Sequence, residues 1–529
     1  MAAHQGGRVQ AHGAPLARAA AQARARQRHR APSAGLPAVS AAPNPDEDYR
    51  LLIGGAWVTA GDGTYDIVNP ATEQVVGRAP NASVADAESA VAAAADAFPA
   101  WSRTKPEDRA AMLARAADLL DERYRELVPL VQAETGATMK VAKQMQVPMV
   151  GVRLRRYARG VTGELQIPIE PAITTTTALA PGGIVGGVVR RAPVGVVTCI
   201  TSYNFPLVNM AGKIGPALAM GNTVVIKPAP QDPLAVIKLG EILTDAGFPP
   251  GVVNVVTSEG PAPAEALVAS ERTDMVSFTG STGVGQHIGS VAGHDMKRLL
   301  LELGGKGACI VFDDADLKTA ITNITSVWAF HSGQICTAPT RVLAQRGIYD
   351  QLVEGLKLAQ GYLPVGDPLD DKTIVGPVIS GPHRDRVESY IAAGRDEGGT
   401  IVAGGERPDL DRGFYVTPTL IADCKPGMRV VQEEIFGPVI VVLPFDDEDE
   451  AVALANSTEF GLYDYVFSKD TGRAFTVAQQ LRTGNVGINT AQRNNEMAFG
   501  GFKKSGVGRD GGRFGFHAYS ELQSIVWPG

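Results

Sequence analysis

Between residues 194 and 302 short β-branched runs alternate with helical patterns, and that alternation narrows the possible folds more than any other feature of the chain. VGVVTCI, TVVIK, VVNVV and MVSF are too short for helices and are rich in valine and isoleucine, while the segments 205–220 and 234–246 carry apolar residues at helical spacing. Repeats of strand, helix and strand build a buried parallel sheet with helices on its faces. Ligands of such sheets bind beyond the C-terminal ends of the strands. The stretches that should carry chemistry are therefore TSYNFP, KPAPQ, TGSTGVG and LELGGK.

A chain of 529 residues is too long for a single core, so more than one domain is expected, with a cleft between them. Net charge of −7 and 20% charged residues exclude a general nucleic-acid binder and favour a small-molecule ligand. The uncharged run 192–212 is broken by Pro193, Asn204 and Pro206, so no membrane span is expected. Cysteines stand at 199, 309, 336 and 424 without a Cys-x-x-Cys pair or a cluster of further ligands, which predicts free thiols, no metal site and a cytoplasmic location. Residues 1–45 hold six arginines and no acid in low-complexity sequence, and read as a disordered extension.

Four residues stand out, each with a plainer alternative. Cys336 lies in HSGQICTAPTR, where its neighbours Ser332, Gly333, Gln334 and Thr337 make a poor core segment; it is either a buried inert thiol or a nucleophile open to substrate. Glu302 ends an apolar strand before two glycines, as a turn-capping carboxylate or a desolvated general base. Asn204 follows a strand and precedes a helix, as a cap or as an amide donor to an oxyanion. Lys227 is a solvated strand end or a contact to ribose or phosphate. Gly280, Gly283 and Gly285, with Ser281 at the start of a helix, suit a phosphate.

In order and spacing these stretches resemble the aldehyde dehydrogenase superfamily over nearly the whole chain after residue 45. SYNFP is similar to its asparagine motif, VVIKPA to its cofactor-lysine motif, FTGSTGVG to its phosphate loop, and LELGGK and SGQIC to its glutamate and cysteine motifs. EEIFGPV and FGGFKKSGVGRDGG complete the series. The resemblance implies a Rossmann-like cofactor domain at 46–165 and 185–303, and a second α/β catalytic domain at 304–502. It also implies β-strand oligomerisation elements at 166–184 and 503–529, serving a homodimer or homotetramer. It further implies a nucleophile at Cys336, a general base at Glu302 and an oxyanion-holding amide at Asn204. The implied cofactor is NAD, with NADP tolerated, held by Lys227, Gly280, Ser281, Gly285, Leu303, Glu434 and Phe436. The implied reaction oxidises an aldehyde to a carboxylic acid through a cysteine thiohemiacetal and a thioester.

Several residues depart from the family pattern. Tyr203 stands where tryptophan is common, Pro230 where NAD-preferring members often have glutamate, and Asp510 where glutamate is usual. Gly212 replaces a bulky aromatic, and TAQRNNEMA, residues 490–498, lacks the aromatics often found there; together they predict a wide mouth and a long-chain or bulky aldehyde. Two other enzymes share parts of this pattern: an acylating dehydrogenase that passes the thioester to coenzyme A, which generally lacks the glutamate, and a thiol hydrolase pairing Cys336 with His331. A non-catalytic protein on the same fold would have no use for Asn204, Glu302 and Cys336 together.

Overall fold

The computed structural model describes residues 43–163 and 165–528. The extension expected over 1–45 lies almost entirely outside them.

The strands read from the sequence form one sheet. Val196–Ile200, Thr223–Lys227 and Val253–Val255 are buried at every position, as strands covered on both faces must be. Across the eight-stranded sheet the order is Gly506–Val507, Arg298–Glu302, Met275–Thr279, Val196–Ile200, Thr223–Lys227, Val253–Val255, Leu51–Ile53 and Ala56–Val58. The central strands run parallel. Helix Pro206–Met220 is buried along its length apart from Asn209; proline opens it, and Gly221 at φ 93° closes it with the left-handed residue a helix end favours.

A second, seven-stranded sheet runs Thr400–Ala403, Thr419–Ala422, Val439–Phe445, Arg341–Gln345, Ala308–Val311, Tyr463–Phe467 and Asn485–Ile488. It is parallel except at the Thr400–Ala403 edge. Two apolar clusters, one centred on Phe312, Val441 and Phe445 and the other on Trp328, Val342 and Phe467, hold side chains from alternating positions of its strands.

Strands Gln166–Thr174, Gly183–Pro193 and Ser520–Pro528 make a separate antiparallel sheet, with every residue of Gln166–Thr174 exposed. Gly183–Pro193 is one continuous strand that crosses residue 185: from Gly183 to Arg190 it lies against Gln166–Thr174, and from Val185 to Pro193 it pairs with Ser520–Pro528. The segment 503–529 also divides: Gly506 and Val507 join the first sheet beside Glu302 and Leu301, and only the last strand joins the arm. Among the described residues no helix is long and apolar enough to cross a membrane.

Candidate active site

Strand register gathers the first set of residues. Thr279 pairs with Glu302, Phe278 with Ile200, and Ile200 with Lys227, so Glu302 and Lys227 lie on one C-terminal edge, three strand spacings or about 14 Å apart. Asn204 lies four residues beyond the end of the strand between them, and Ser281 caps helix Thr282–His294 on the same edge, its hydroxyl accepting from the Val284 N–H at 3.4 Å.

Cys336 approaches this edge on a loop of unusual backbone. His331, Ser332 and Gly333 have φ of 48°, 56° and 71°, a left-handed run that costs non-glycine residues about 1–3 kcal/mol each and needs outside support. The Ser332 hydroxyl donates to the Gly376 carbonyl (2.7 Å), and the Gln334 side chain accepts from Ile379 N–H (3.0 Å) and donates to the His331 carbonyl (3.2 Å). The Tyr465 hydroxyl donates to Thr337 O at 2.9 Å, and the Asn204 amide donates to Gln334 O at 2.9 Å. Ser202 Oγ, at 2.8 Å, donates to Asn204 Oδ1 and so orients that amide. A side chain at Gly333 would collide with the Gly437 carbonyl, and one at Gly305 with the Cys336 carbonyl.

Of the four cysteines, all free, Cys336 alone is not fully buried; Cys424 donates its S–H to the carbonyls of Ile421 and Ala422. Burial among its neighbours pushes the Cys336 thiol up to about 12, with Arg493 opposing and Glu434 and Glu302 adding to the rise. The thiol therefore needs a base to become a nucleophile. Glu302 is 6% exposed, and neither carboxylate oxygen has a hydrogen-bond partner among the described residues. Its carboxyl is raised to about 8, chiefly by burial and also by Asp510, against the opposing charges of Lys213, Arg509 and Arg153. A base poised near neutrality is what proton abstraction from thiol or water requires.

Of the residues expected to hold a cofactor, Lys227, Gly280, Ser281 and Leu303 follow strands on this edge, while Glu434 and Phe436 come from the segment before strand Val439–Phe445 of the second sheet. Gly283 has open space where a side chain would be, while a side chain at Gly285 would collide with Leu303, so only small residues leave room for a group placed over the first turn of this helix. Lys227 donates to the carbonyls of Pro228 (3.1 Å) and Ser258 (3.3 Å), and burial lowers it to about 8. Glu434 accepts from Gly305 N–H at 2.8 Å, and burial raises it to about 7. Phe436 has φ of 60°; its carbonyl accepts from His383 Nε2 at 2.8 Å, and its ring meets Tyr203 edge-on at 5.9 Å.

Three features went unnoticed in the sequence. Lys213 is fully buried and donates to Ser277 Oγ at 3.2 Å; a lone lysine in the apolar run PLVNMAGKIGPALAM was the available signal. His383 holds Phe436, and nothing in its local sequence announces that contact. The third is Arg153, which donates to Val208 O at 2.8 Å. Together with Asp510 it lies where a side chain at Gly212 would project. The wider mouth expected from Gly212 is therefore not open space, because two charged side chains fill it. His331 is also not a partner for the thiol. It is buried against Phe205 at 5.3 Å, and burial lowers it to about 4, opposed by the Asn204 backbone.

The family model for the aldehyde dehydrogenase family matches residues 57–525. The chain belongs to the aldehyde dehydrogenase family. It is 38% identical over 486 residues to the geranial dehydrogenase of Castellaniella defragrans, covering 91% of this chain and 99% of that one. With the phenylacetaldehyde dehydrogenase of Pseudomonas fluorescens it shares 36% identity over 505 residues, 93% of this chain and 98% of the other. Among solved structures it resembles betaine aldehyde dehydrogenase of Staphylococcus aureus in complex with NAD+, with a TM-score of 0.86 and 35% identity over 90% of this chain and 95% of that one. The protein is an aldehyde-oxidising enzyme.

Proposed function

We propose that the enzyme oxidises a long-chain or bulky aldehyde to its carboxylic acid with NAD, through a thiohemiacetal and a thioester on Cys336. One observation carries this reading above the others: the Asn204 amide braces the Cys336 loop, while the Glu302 carboxylate, without a hydrogen-bond partner among the described residues, is buried close enough to raise the thiol's pKa.

Glu302 takes the proton of the Cys336 thiol and passes it to solvent, and the thiolate adds to the aldehyde carbon. Asn204 has a second amide hydrogen beyond the one given to Gln334, and with the Cys336 N–H it stabilises the oxyanion. A bound NAD supplies the acceptor for the hydride that leaves this adduct as it becomes a thioester. Glu302 then takes a proton from water; the resulting hydroxide attacks the thioester carbon, and the Cys336 thiolate leaves as the acid forms. The helix N-terminus at Ser281, with open space at Gly283, would hold a pyrophosphate, and the side chains of Lys227 and Glu434 would hold the two riboses. Pro230 leaves no carboxylate there to repel a 2′-phosphate, so NADP is tolerated.

The size of the aldehyde rests on the relatives named for geranial and phenylacetaldehyde and on the missing aromatics of 490–498, with no support from Gly212. We assign the cofactor and catalytic domains to the first and second sheets, and assembly to the arm, where Ile169, Ile173, Ile184, Val526 and Trp527 are exposed apolar side chains on strands. A homodimer or homotetramer follows from this arm, and the four free cysteines support a cytoplasmic location. The test is absorbance of reduced cofactor formed from aldehyde with NAD, with and without coenzyme A. Turnover that requires coenzyme A would replace hydrolysis by acyl transfer.

A further inference from the structure

Arg493 lies on the exposed turn 490–498, which is anchored from several sides. Ala491 N–H donates to Asn323 Oδ1 at 2.8 Å, Gly512 N–H donates to Asn495 O at 3.3 Å, and Glu496 pairs with Arg156 at 2.5 Å. The guanidinium carbon stands 5.1 Å from the Tyr463 ring and 5.4 Å from the Phe499 ring.

Two short chains of contact lead from there to the reacting groups. Tyr463 stacks on Tyr465 at 4.8 Å, and the Tyr465 hydroxyl donates to the carbonyl of Thr337, next to Cys336. Phe499 exchanges two main-chain hydrogen bonds with Asp510, and a Cβ on the following Gly500 would lie 2.9 Å from Glu302 Oε1.

The neighbouring arginines are engaged. Arg153 donates to Val208 O, Arg156 pairs with Glu496, and Arg509 donates to the carbonyls of Gly501 and Gly508. Among the described residues Arg493 has no carboxylate partner and no hydrogen bond; aromatic faces position it and leave its N–H fork unspent. Of the charges acting on the Cys336 thiol, it is the one that favours the thiolate.

A guanidinium fork matches a carboxylate with two parallel hydrogen bonds, and a flat aromatic support fixes its plane beforehand. An aldehyde with only apolar atoms would cover these N–H groups without replacing their water, at a cost. We propose that Arg493 is a specificity-determining residue and that the physiological aldehyde carries a carboxylate remote from its reacting carbonyl. This rests on the oxidation proposed above and narrows its substrate class to oxo acids of extended chain.

The experiment compares kcat/KM for a series of straight-chain ω-oxo acids of increasing length with their methyl esters, using the full-length enzyme and NAD. At the best length the acid should be preferred by roughly 10- to 100-fold, the usual worth of a charge-assisted hydrogen bond, and added salt should erode the preference. Arg493→Gln should bring the ratio of acid to ester close to one, and Arg493→Lys should restore part of it. A merely structural arginine would lower both substrates together and leave the ratio unchanged. Esters used as well as acids by the native enzyme, at every length, overturn the assignment, as does a ratio that survives in Arg493→Gln. If no aldehyde of either kind yields reduced cofactor, the underlying oxidation fails and the assignment fails with it.

Discussion

The side-chain amide of Asn204 donates to the main-chain carbonyl of Gln334 over 2.9 Å, joining the turn after a strand of the first sheet to the loop that carries Cys336. This bond ties the first sheet to the loop at the point where the thiol is presented, beside the contact of Phe205 with His331. Because the Gln334 side chain is itself held by Ile379 N–H, the loop is tied on both sides. Its left-handed residues are kept in place by these bonds, which makes the thiol's position a property of the whole assembly.

Replacing Glu302 by glutamine separates the two halves of the reaction. An amide is a far weaker base, so the thioester should form slowly, at a rate that recovers as pH rises and the thiol ionises unaided, and should then persist. Stopped-flow absorbance should show a burst of reduced cofactor approaching one equivalent per site, followed by turnover slowed roughly 10²- to 10⁴-fold. Cys336→Ala should show neither phase. An unchanged steady-state rate in the glutamine variant would remove Glu302 from the mechanism.

The pH profile should report Glu302. Its carboxyl is raised to about 8, first by burial and then by Asp510, so the ionised form that acts as a base gains population as pH rises through that value. Activity should climb over the same range. Asp510→Asn removes a negative neighbour, stabilises the ionised form and should move the midpoint to lower pH. A midpoint that stays in place, or moves upward, would show that Asp510 does not act on Glu302.

Gly333→Ala tests the loop. Alanine pays for φ of 71° and its Cβ meets the Gly437 carbonyl, so the loop must shift, at a cost of about 1–3 kcal/mol. A displacement of the thiol by even 1 Å can lower the rate by about 10²-fold. We expect kcat to fall by at least about tenfold, with a lower urea midpoint. Native kinetics in the alanine variant would mean that the loop has another way to hold Cys336.

Much of this site was legible in the sequence because its residues sit at strand ends, and strand ends are marked by the change from β-branched runs to glycine, proline and asparagine. Lys227, Ser281 and Glu302 follow that rule, and so fall on one edge once the strands pair. What was not legible depends on contacts between distant segments. His383 reaches Phe436 across 53 residues, and Arg153 and Asp510 meet beside Gly212 although 357 residues separate them in the chain. The same blindness applied to the arm: its strands were visible, but the crossing of residue 185 and the capture of Gly506 by the first sheet are set by which edges were left unpaired.

Asn204→Ala removes two things at once, the brace on Gln334 and the proposed donor to the oxyanion, and the two have different signatures. Loss of the oxyanion donor acts only while charge sits on the substrate oxygen, so it lowers turnover by about 10²- to 10³-fold and leaves the resting thiol untouched. Loss of the brace frees the Cys336 loop in the resting enzyme and changes the rate at which iodoacetamide alkylates the thiol. The remaining ties at Gln334 Oε1, Ser332 Oγ and Thr337 O hold the loop without Asn204. Alkylation of Cys336 should therefore change by less than about threefold while kcat falls in the oxyanion range, which corresponds to about 2.7–4 kcal/mol. Equal losses in alkylation and turnover would make Asn204 a structural brace and leave the oxyanion to the Cys336 N–H alone.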